Sequence, residues 1–194
     1  DKSIVGGKRD VIKIVTGQAK EGWHSFDAEM EGASEEFQRR NTRGDDPMAM
    51  FFTSGTTGYP KIVTHSFKYP LGHYVTARYW QNVDPEGLHF TLSDTGWAKS
   101  LWGKIYGQWM CEAAVFIYDM EKFVPHDFLS LFARFGITTF CAPPTAYRIL
   151  VKRNLEKYRL SDLKHVTTAG EALNPKVWQQ FYDKTGLKIM EGFG

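Results

Sequence analysis

Cysteine is scarce in these 194 residues: only Cys111 and Cys141 occur, in neither a CxxC pair nor a Cys/His cluster. A disulfide framework or a zinc module needs more thiols at tighter spacing, so the two read as reduced, buried side chains of an intracellular protein. Excess charge is lacking as well. Lys and Arg total 24 against 22 for Asp and Glu, and no basic run stands out, which argues against a nucleic-acid or anionic-membrane partner. No apolar stretch approaches the roughly 20 residues that cross a bilayer. Internal repeats, low-complexity segments and a signal-peptide pattern are likewise not seen.

What the chain does have is core material. Hydrophobic residues make up 42% and aromatics 15%, enough for one good-sized domain. It starts at Asp1 without Met and stops at Gly194, directly after the strand-like Leu187–Met190. Both ends are therefore expected to be cuts in a longer protein.

Residues 10–16 read as a short buried strand. Residues 18–46 look like a connector with a helical portion over Ala28–Arg40, where Glu35-Glu36 and Arg39-Arg40 would pair one turn apart. From there the pattern sharpens, which sets the expected organisation as residues 1–46, the end of a preceding subdomain plus connector, and residues 47–194, an α/β subdomain. The apolar run at 48–53 suits a strand buried on both faces. Further strands are expected at 89–94, 113–119, 138–144, 165–170 and 188–193.

Helices fall between them. Pro125 and Gly136 bracket Phe128, Leu131, Phe132 and Phe135, the i, i+3, i+4, i+7 spacing of one helical face. Asn174, Pro175 and Gly186 bracket Val177, Trp178 and Phe181 in the same way. Strands alternating with such helices predict an α/β fold, a mainly parallel sheet with helical crossovers. Ligands of such sheets bind beyond the strands' carboxyl ends, which directs attention to the loops after residues 53, 94, 144, 170 and 192.

The most specific of these is Thr53-Ser54-Gly55-Thr56-Thr57-Gly58-Tyr59-Pro60-Lys61. Its glycines let backbone amides turn toward a ligand, its four hydroxyls donate hydrogen bonds, and its lysine adds a mobile positive charge. Together these suit a polyphosphate. It is not a Walker A loop, because Tyr59-Pro60 separates Gly58 from Lys61 and Ile62 follows. His65 and His73, read as lying on a helix beside this loop, have no carboxylate at a spacing that would make a catalytic pair. Cys141 reads as a structural thiol within a buried strand.

The string resembles the TSG[ST]TGxPK phosphate loop of the adenylate-forming (AMP-binding) superfamily of acyl-CoA synthetases, luciferases and peptide-synthetase adenylation domains. Downstream, SDTGWAKS (93–100) resembles the ADxGW segment of acetyl- and medium-chain acyl-CoA synthetases. APPTAYRIL (142–150) and TTAGEALNPKVWQQF (167–181) are similar to their APTxxRxL and AGExLNPEVxxxW segments, and EGFG (191–194) to the start of G[YF]GxTE. The combination looks most like the medium-chain branch and spans nearly all of 47–194. Ile62 departs from the glycine that many members carry after the lysine.

The resemblance implies part of an N-terminal domain of an enzyme that joins a small-molecule carboxylic acid to ATP, releasing pyrophosphate, and then passes the acyl group to coenzyme A. ATP, Mg2+ and coenzyme A would be its cofactors and co-substrates. It further implies that Thr53, Ser54, Gly55, Thr56, Thr57, Gly58 and Lys61 hold the β- and γ-phosphates, with Thr56 and Lys61 acting in catalysis. Gly170, Glu171 and Ala172 would line the adenine pocket, and Phe193, within Glu191-Gly192-Phe193-Gly194, would stack on the base. Trp97, Trp102, Pro144 and Thr145, with Pro143, are expected near the acyl or pantetheine path. The magnesium-binding Glu is expected beyond Gly194, so no metal ligand is assigned within the chain, and the stretch alone is expected not to make acyl-adenylate. Two readings stay open beside this one: another adenylate-forming enzyme, and a non-catalytic nucleotide-binding module. The cytoplasm is the default compartment, with the mitochondrial matrix as the other; the acid and the oligomeric state are not legible.

Overall fold

A computed structural model describes residues 11–53 and 59–193. The chain forms two compact units, Asp1–Thr42 and Arg43–Gly194.

The described part of the first unit is small. Strands β1 (Ile14–Val15) and β2 (His24–Ser25) pair in parallel, and helix α1 (Phe26–Glu31) follows at once. Ser25 caps that helix, its hydroxyl accepting from the Ala28 amide at 3.4 Å, with Asp27 and Glu29 in the positive first turn. Two expectations fail here. The strand expected over 10–16 is only two residues long, and Ile12 and Ile14 are exposed. The helix expected to reach Arg40 stops before Gly32, so Glu35-Glu36 and Arg39-Arg40 lie on irregular chain. The Ser34 hydroxyl accepts from the Glu36 amide at 3.0 Å, a local bond that competes with helix continuation.

The second unit opens with an antiparallel hairpin, β3 (Pro47–Thr53) and β4 (Lys61–Ser66), in which Thr53 pairs with Lys61. This corrects two further expectations. Phe52 is 74% exposed and Met50 59%, so β3 is not buried on both faces, and it belongs to a separate two-stranded sheet. The segment after the phosphate-type loop is a strand, which places His65 on β4; only His73 lies on helix α2 (Tyr69–Val75). A π-helical turn, Thr76–Trp80, extends α2.

The alternating α/β part is as the periodicity predicts. In chain order it comprises β5 (Leu88–Thr91), α3 (Lys99–Trp102), α4 (Tyr106–Met110), β6 (Ala114–Phe116), α5 (Pro125–Phe135), β7 (Thr139–Ala142), α6 (Pro144–Leu150), β8 (His165–Ala169), α7 (Pro175–Thr185) and β9 (Ile189–Gly192). The five strands are all parallel, in the order β6-β5-β7-β8-β9. Helices α5 and α7 begin with the expected prolines. They end on Gly136 and Gly186 at φ 65° and 72°, a left-handed conformation that a side chain would strain.

The sheet has two unlike faces. On one, Phe90, Phe140 and Val166 pack against Phe128 and Phe132 of α5, Tyr147 of α6 and Phe181 of α7. Phe132 and Phe140 meet edge to face, with centroids 5.0 Å apart. Each such ring contributes on the order of 1.5–3 kcal/mol by leaving water. On the other, strand alternation sets His89, Thr139 and His165 side by side, then Thr91, Cys141 and Thr167.

This polar face is held by hydrogen bonds. The His89 ring accepts from the Thr139 hydroxyl at Nδ1 (2.8 Å) and donates from Nε2 to the Gly103 carbonyl (3.0 Å), to which the Thr91 hydroxyl also donates (2.7 Å). Gly107 of α4 presses so closely on His73 and Ala77 that a Cβ would overlap the His73 carbonyl.

Burial pushes the His89 imidazole down from 6.5 to about 4, the Gly103 carbonyl opposing the shift. Between those values the unfolded chain binds a proton that the fold refuses. The group's stabilising contribution is thus complete above about pH 6.5 and is lost progressively as pH falls toward about 4. The loss amounts to roughly 3 kcal/mol. Urea denaturation between pH 7 and pH 4 should show this decline, and His89→Gln, which does not titrate, should show a flatter one. Parallel slopes in the two proteins would refute the assignment.

Candidate functional site

The strand order fixes where a ligand can enter. From β5 the chain crosses to β6 on one side, then returns past β5 to β7 and proceeds to β8 on the other. Loops leaving β5 and β7 therefore part, opening a crevice at their carboxyl ends. A cavity of about 470 Å³ occupies that position. The β5 loop supplies Leu92, Ser93, Asp94, Trp97 and Lys99; the β7 loop supplies Pro143 and Thr145; the β8 loop supplies Ala169, Gly170 and Glu171.

Local chemistry shapes each wall. The Asp94 carboxylate accepts from the Gly96 amide at 2.7 Å, a tight turn that brings the chain to Trp97. The Ser100 hydroxyl donates to the Trp97 carbonyl at 2.8 Å, while the indole itself stays 71% exposed. Gly170 adopts φ 104°, a backbone shape that favours glycine and turns the chain sharply off β8. Glu171 lies 3.8 Å from Arg148. Lys99 donates to the Ala169 carbonyl at 2.8 Å, tying α3 to the β8 loop. Burial pushes its ammonium pKa down, and Cys141 and Glu171 oppose that shift.

Of the residues singled out in the sequence, Trp97, Pro143, Thr145, Gly170 and Glu171 come together in this cavity. Pro144 and Ala172 line a neighbouring one of about 290 Å³, with Arg148 and Asn174. Trp102 stands apart from both, its ring 6.0 Å from Trp80 and 6.3 Å from His73, with the Lys99 ammonium 5.9 Å away.

Glu191 accepts from the Leu173 amide at 2.9 Å, linking the last strand to the β8 loop. Gly192 lies against Trp80 with no room for a Cβ, and Phe193 is fully exposed. Thr53 and Lys61 pair across the end of the hairpin, both exposed. Ser54, Gly55, Thr56, Thr57, Gly58 and Gly194 lie outside the described residues. Among the described residues, no group of three or more His, Cys, Asp or Glu side chains converges as a metal site, and no helix is long and apolar enough to cross a membrane.

Sequence reasoning missed Lys99, Ser93, Asp94 and Ala169. Lys99 did leave a signal, since it is the one charge within the otherwise apolar or small run Gly96–Trp102.

Known proteins resemble this chain in sequence and fold. Mitochondrial acyl-coenzyme A synthetase ACSM4 of Homo sapiens is 40% identical over 182 residues, covering 93% of this chain and 31% of the relative. Mitochondrial ACSM3 of Mus musculus is also 40% identical over 182 residues, with the same coverage of each chain. The chain thus spans about a third of the length of these curated relatives.

Among solved structures, the anthranilate CoA ligase AuaEII in complex with anthranoyl-AMP superposes with a TM-score of 0.80 at 26% identity, covering 93% of this chain and 36% of that one. An acyl-CoA synthetase of Brucella canis gives 0.81 at 26% identity, covering 91% and 33%. The family described as AMP-binding enzyme matches residues 3–194, nearly end to end. On that match, the chain belongs to the AMP-binding enzyme family.

Proposed function

We propose that the protein carrying this chain is an acyl-CoA synthetase, which activates a carboxylic acid with ATP and delivers the acyl group to coenzyme A. One observation carries the reading: the SDTGWAK, APPT and AGE segments, far apart in sequence, line a single cavity at the strand-order reversal. That is where a sheet of this kind binds nucleotides and their partners. The mitochondrial acyl-CoA synthetases among its relatives support the same reading. For a eukaryotic source they favour the matrix over the cytoplasm.

In the first half-reaction a carboxylate oxygen attacks the α-phosphorus of ATP, and the bond to pyrophosphate breaks. In the second, the coenzyme A sulfur attacks the acyl carbonyl and AMP leaves, the thiol proton going to solvent or a base. We assign Thr53, Ser54, Gly55, Thr56, Thr57, Gly58 and Lys61 to the β- and γ-phosphates. Their work is to orient the nucleotide and to stabilise charge gathering on the leaving pyrophosphate. Magnesium, arriving with ATP, would share that charge. Gly170, Glu171 and Ala172 are assigned to the adenine, with Phe193 stacked on its face; Trp97, Pro143, Pro144 and Thr145 are assigned to the acyl or pantetheine side. Trp102, which lines neither cavity, is not assigned to this wall.

The first test is ATP–pyrophosphate exchange by the complete gene product over acids from acetate through octanoate to benzoate. Exchange should depend on one acid class and fall about 10²–10³-fold in Lys61→Ala. Adding coenzyme A should convert the adenylate to acyl-CoA. Exchange without that conversion would point to another adenylate-forming enzyme, and no exchange with any acid would leave only nucleotide binding.

Phe193 allows a cleaner separation of roles. The substitution to read is Phe193→Ala in the complete gene product. Loss of stacking should raise the KM for ATP about tenfold. An unaltered KM would remove Phe193 from the nucleotide site.

A further inference from the structure

The loop Ser93–Ala98, which carries Trp97 into the cavity, has few anchors. Its own bonds are local: the Asp94 carboxylate holds the Gly96 amide, and the Ser100 hydroxyl donates to the Thr95 and Trp97 carbonyls at 3.3 and 2.8 Å. These shape the loop without fixing it to the sheet. Among the described residues, the bond that reaches outside comes from Lys104, whose ammonium donates to the Ser93 carbonyl at 2.9 Å.

Lys104 stands on firm ground. The preceding residue, Gly103, has its carbonyl clamped by buried His89 and Thr91 of β5, and a Cβ on Gly103 would overlap the Thr91 side chain. The turn between α3 and α4 is thereby fixed to the middle of β5, and its lysine reaches back to the point where that strand ends. The stem is half-buried, and burial pushes the ammonium pKa down while Asp94 opposes the shift. A partly desolvated cation spending a donor on a backbone carbonyl is a costly way to pack a surface turn, but an effective way to hold a loop. Lys99 acts in parallel on the β8 loop through the Ala169 carbonyl. The two lysines thus join opposite walls of the cavity through one short segment.

We propose that Lys104 is a positioning residue of the acid-activating site, holding the Ser93–Ala98 loop so that Trp97 presents a fixed wall to the bound acid. This rests on the synthetase reading above. The ammonium touches no reacting atom; it acts through Ser93 and the loop. Its loss should loosen acid binding more than it slows chemistry, since a wall that must first be ordered weakens substrate capture.

The test uses the complete gene product with Lys104→Met, which keeps the stem, and Lys104→Arg, which keeps a charged donor. In acid-dependent ATP–pyrophosphate exchange, Lys104→Met should raise the KM for the acid about tenfold. The KM for ATP and kcat should change less than about threefold. Lys104→Arg should restore most of the loss. Hydrogen exchange followed by mass spectrometry provides a readout independent of activity: amides of residues 93–98 should exchange faster in Lys104→Met than in wild type or Lys104→Arg. Unchanged exchange in that loop would overturn the latch. A faster-exchanging loop with an unchanged KM for the acid would overturn its positioning role. A wild-type protein inactive with every acid would overturn the synthetase reading, while loop exchange would still decide whether Lys104 holds the segment.

Discussion

Parallel strands can be joined only by crossovers, and every crossover leaves its strand at the same edge of the sheet. That constraint governs the second unit. It places the ends of β5, β7, β8 and β9 side by side and makes loops of the first three. With the order β6-β5-β7-β8-β9, the chain reverses direction across β5, and the loops there part instead of crowding. The Asp94 turn, the left-handed Gly170 and the bond from the Leu173 amide to Glu191 are local solutions to one requirement: leaving a strand sharply without filling the crevice.

The two faces of the sheet divide the remaining work. Aromatic packing of Phe90, Phe128, Phe132, Phe140 and Tyr147 gives the apolar face its stability. The opposite face is unusual for a doubly covered parallel sheet, which more often reads as continuous branched aliphatics. Here His89, Thr91 and Thr139 are buried with their polar atoms paired, so a one-residue slip would trade satisfied hydroxyls for phenyl rings on both sides. The pairing is incomplete. Buried His73 Nε2, Gln81 Nε2, Gln108 Oε1 and Thr167 Oγ1 find no partner among the described residues, and all four belong to this face or to the segments over it. Unpaired groups of this kind cost a layer stability unless water reaches them.

Where the sequence was legible, a local rule and the tertiary outcome agreed. Helices α5 and α7 carried a proline, an apolar stripe and a terminal glycine, and all three signs matched the fold. The strands entering the cavity were short segments between helical signals, and the sheet then buried most of their residues. The hairpin was misread because a brief apolar run has the same appearance in a buried parallel strand and in an exposed antiparallel one; only the partner decides, and β4 lay beyond a loop that drew attention to phosphate chemistry. The cavity's position followed from the loops, and Trp97, Thr145, Gly170 and Glu171 from the resemblance. Lys99 left only the sign of a lone charge in a small, apolar run, and Lys104 left none, because a lysine's role depends on the carbonyl it reaches, and for Lys99 that carbonyl lies 70 residues away.

Exposure alone does not mark the functional rings. Phe52 on the hairpin is as open as Trp97, and Met50, Leu71 and Val75 are more than half exposed. In a chain spanning about a third of its relatives' length, such faces have an ordinary explanation in polypeptide beyond this stretch. Trp97 differs in what surrounds it. It lines a cavity together with loops of the same unit that also bring a lysine, two carboxylates and a threonine to its walls. An apolar wall with a few aimed polar groups is what recognises a small molecule. The same wall contributes little to the core, which lies on the sheet's apolar face. Substitutions at the crevice should therefore act on binding and those among the phenyl rings on stability, whereas Lys104 ties the crevice to the polar face of the sheet through Gly103.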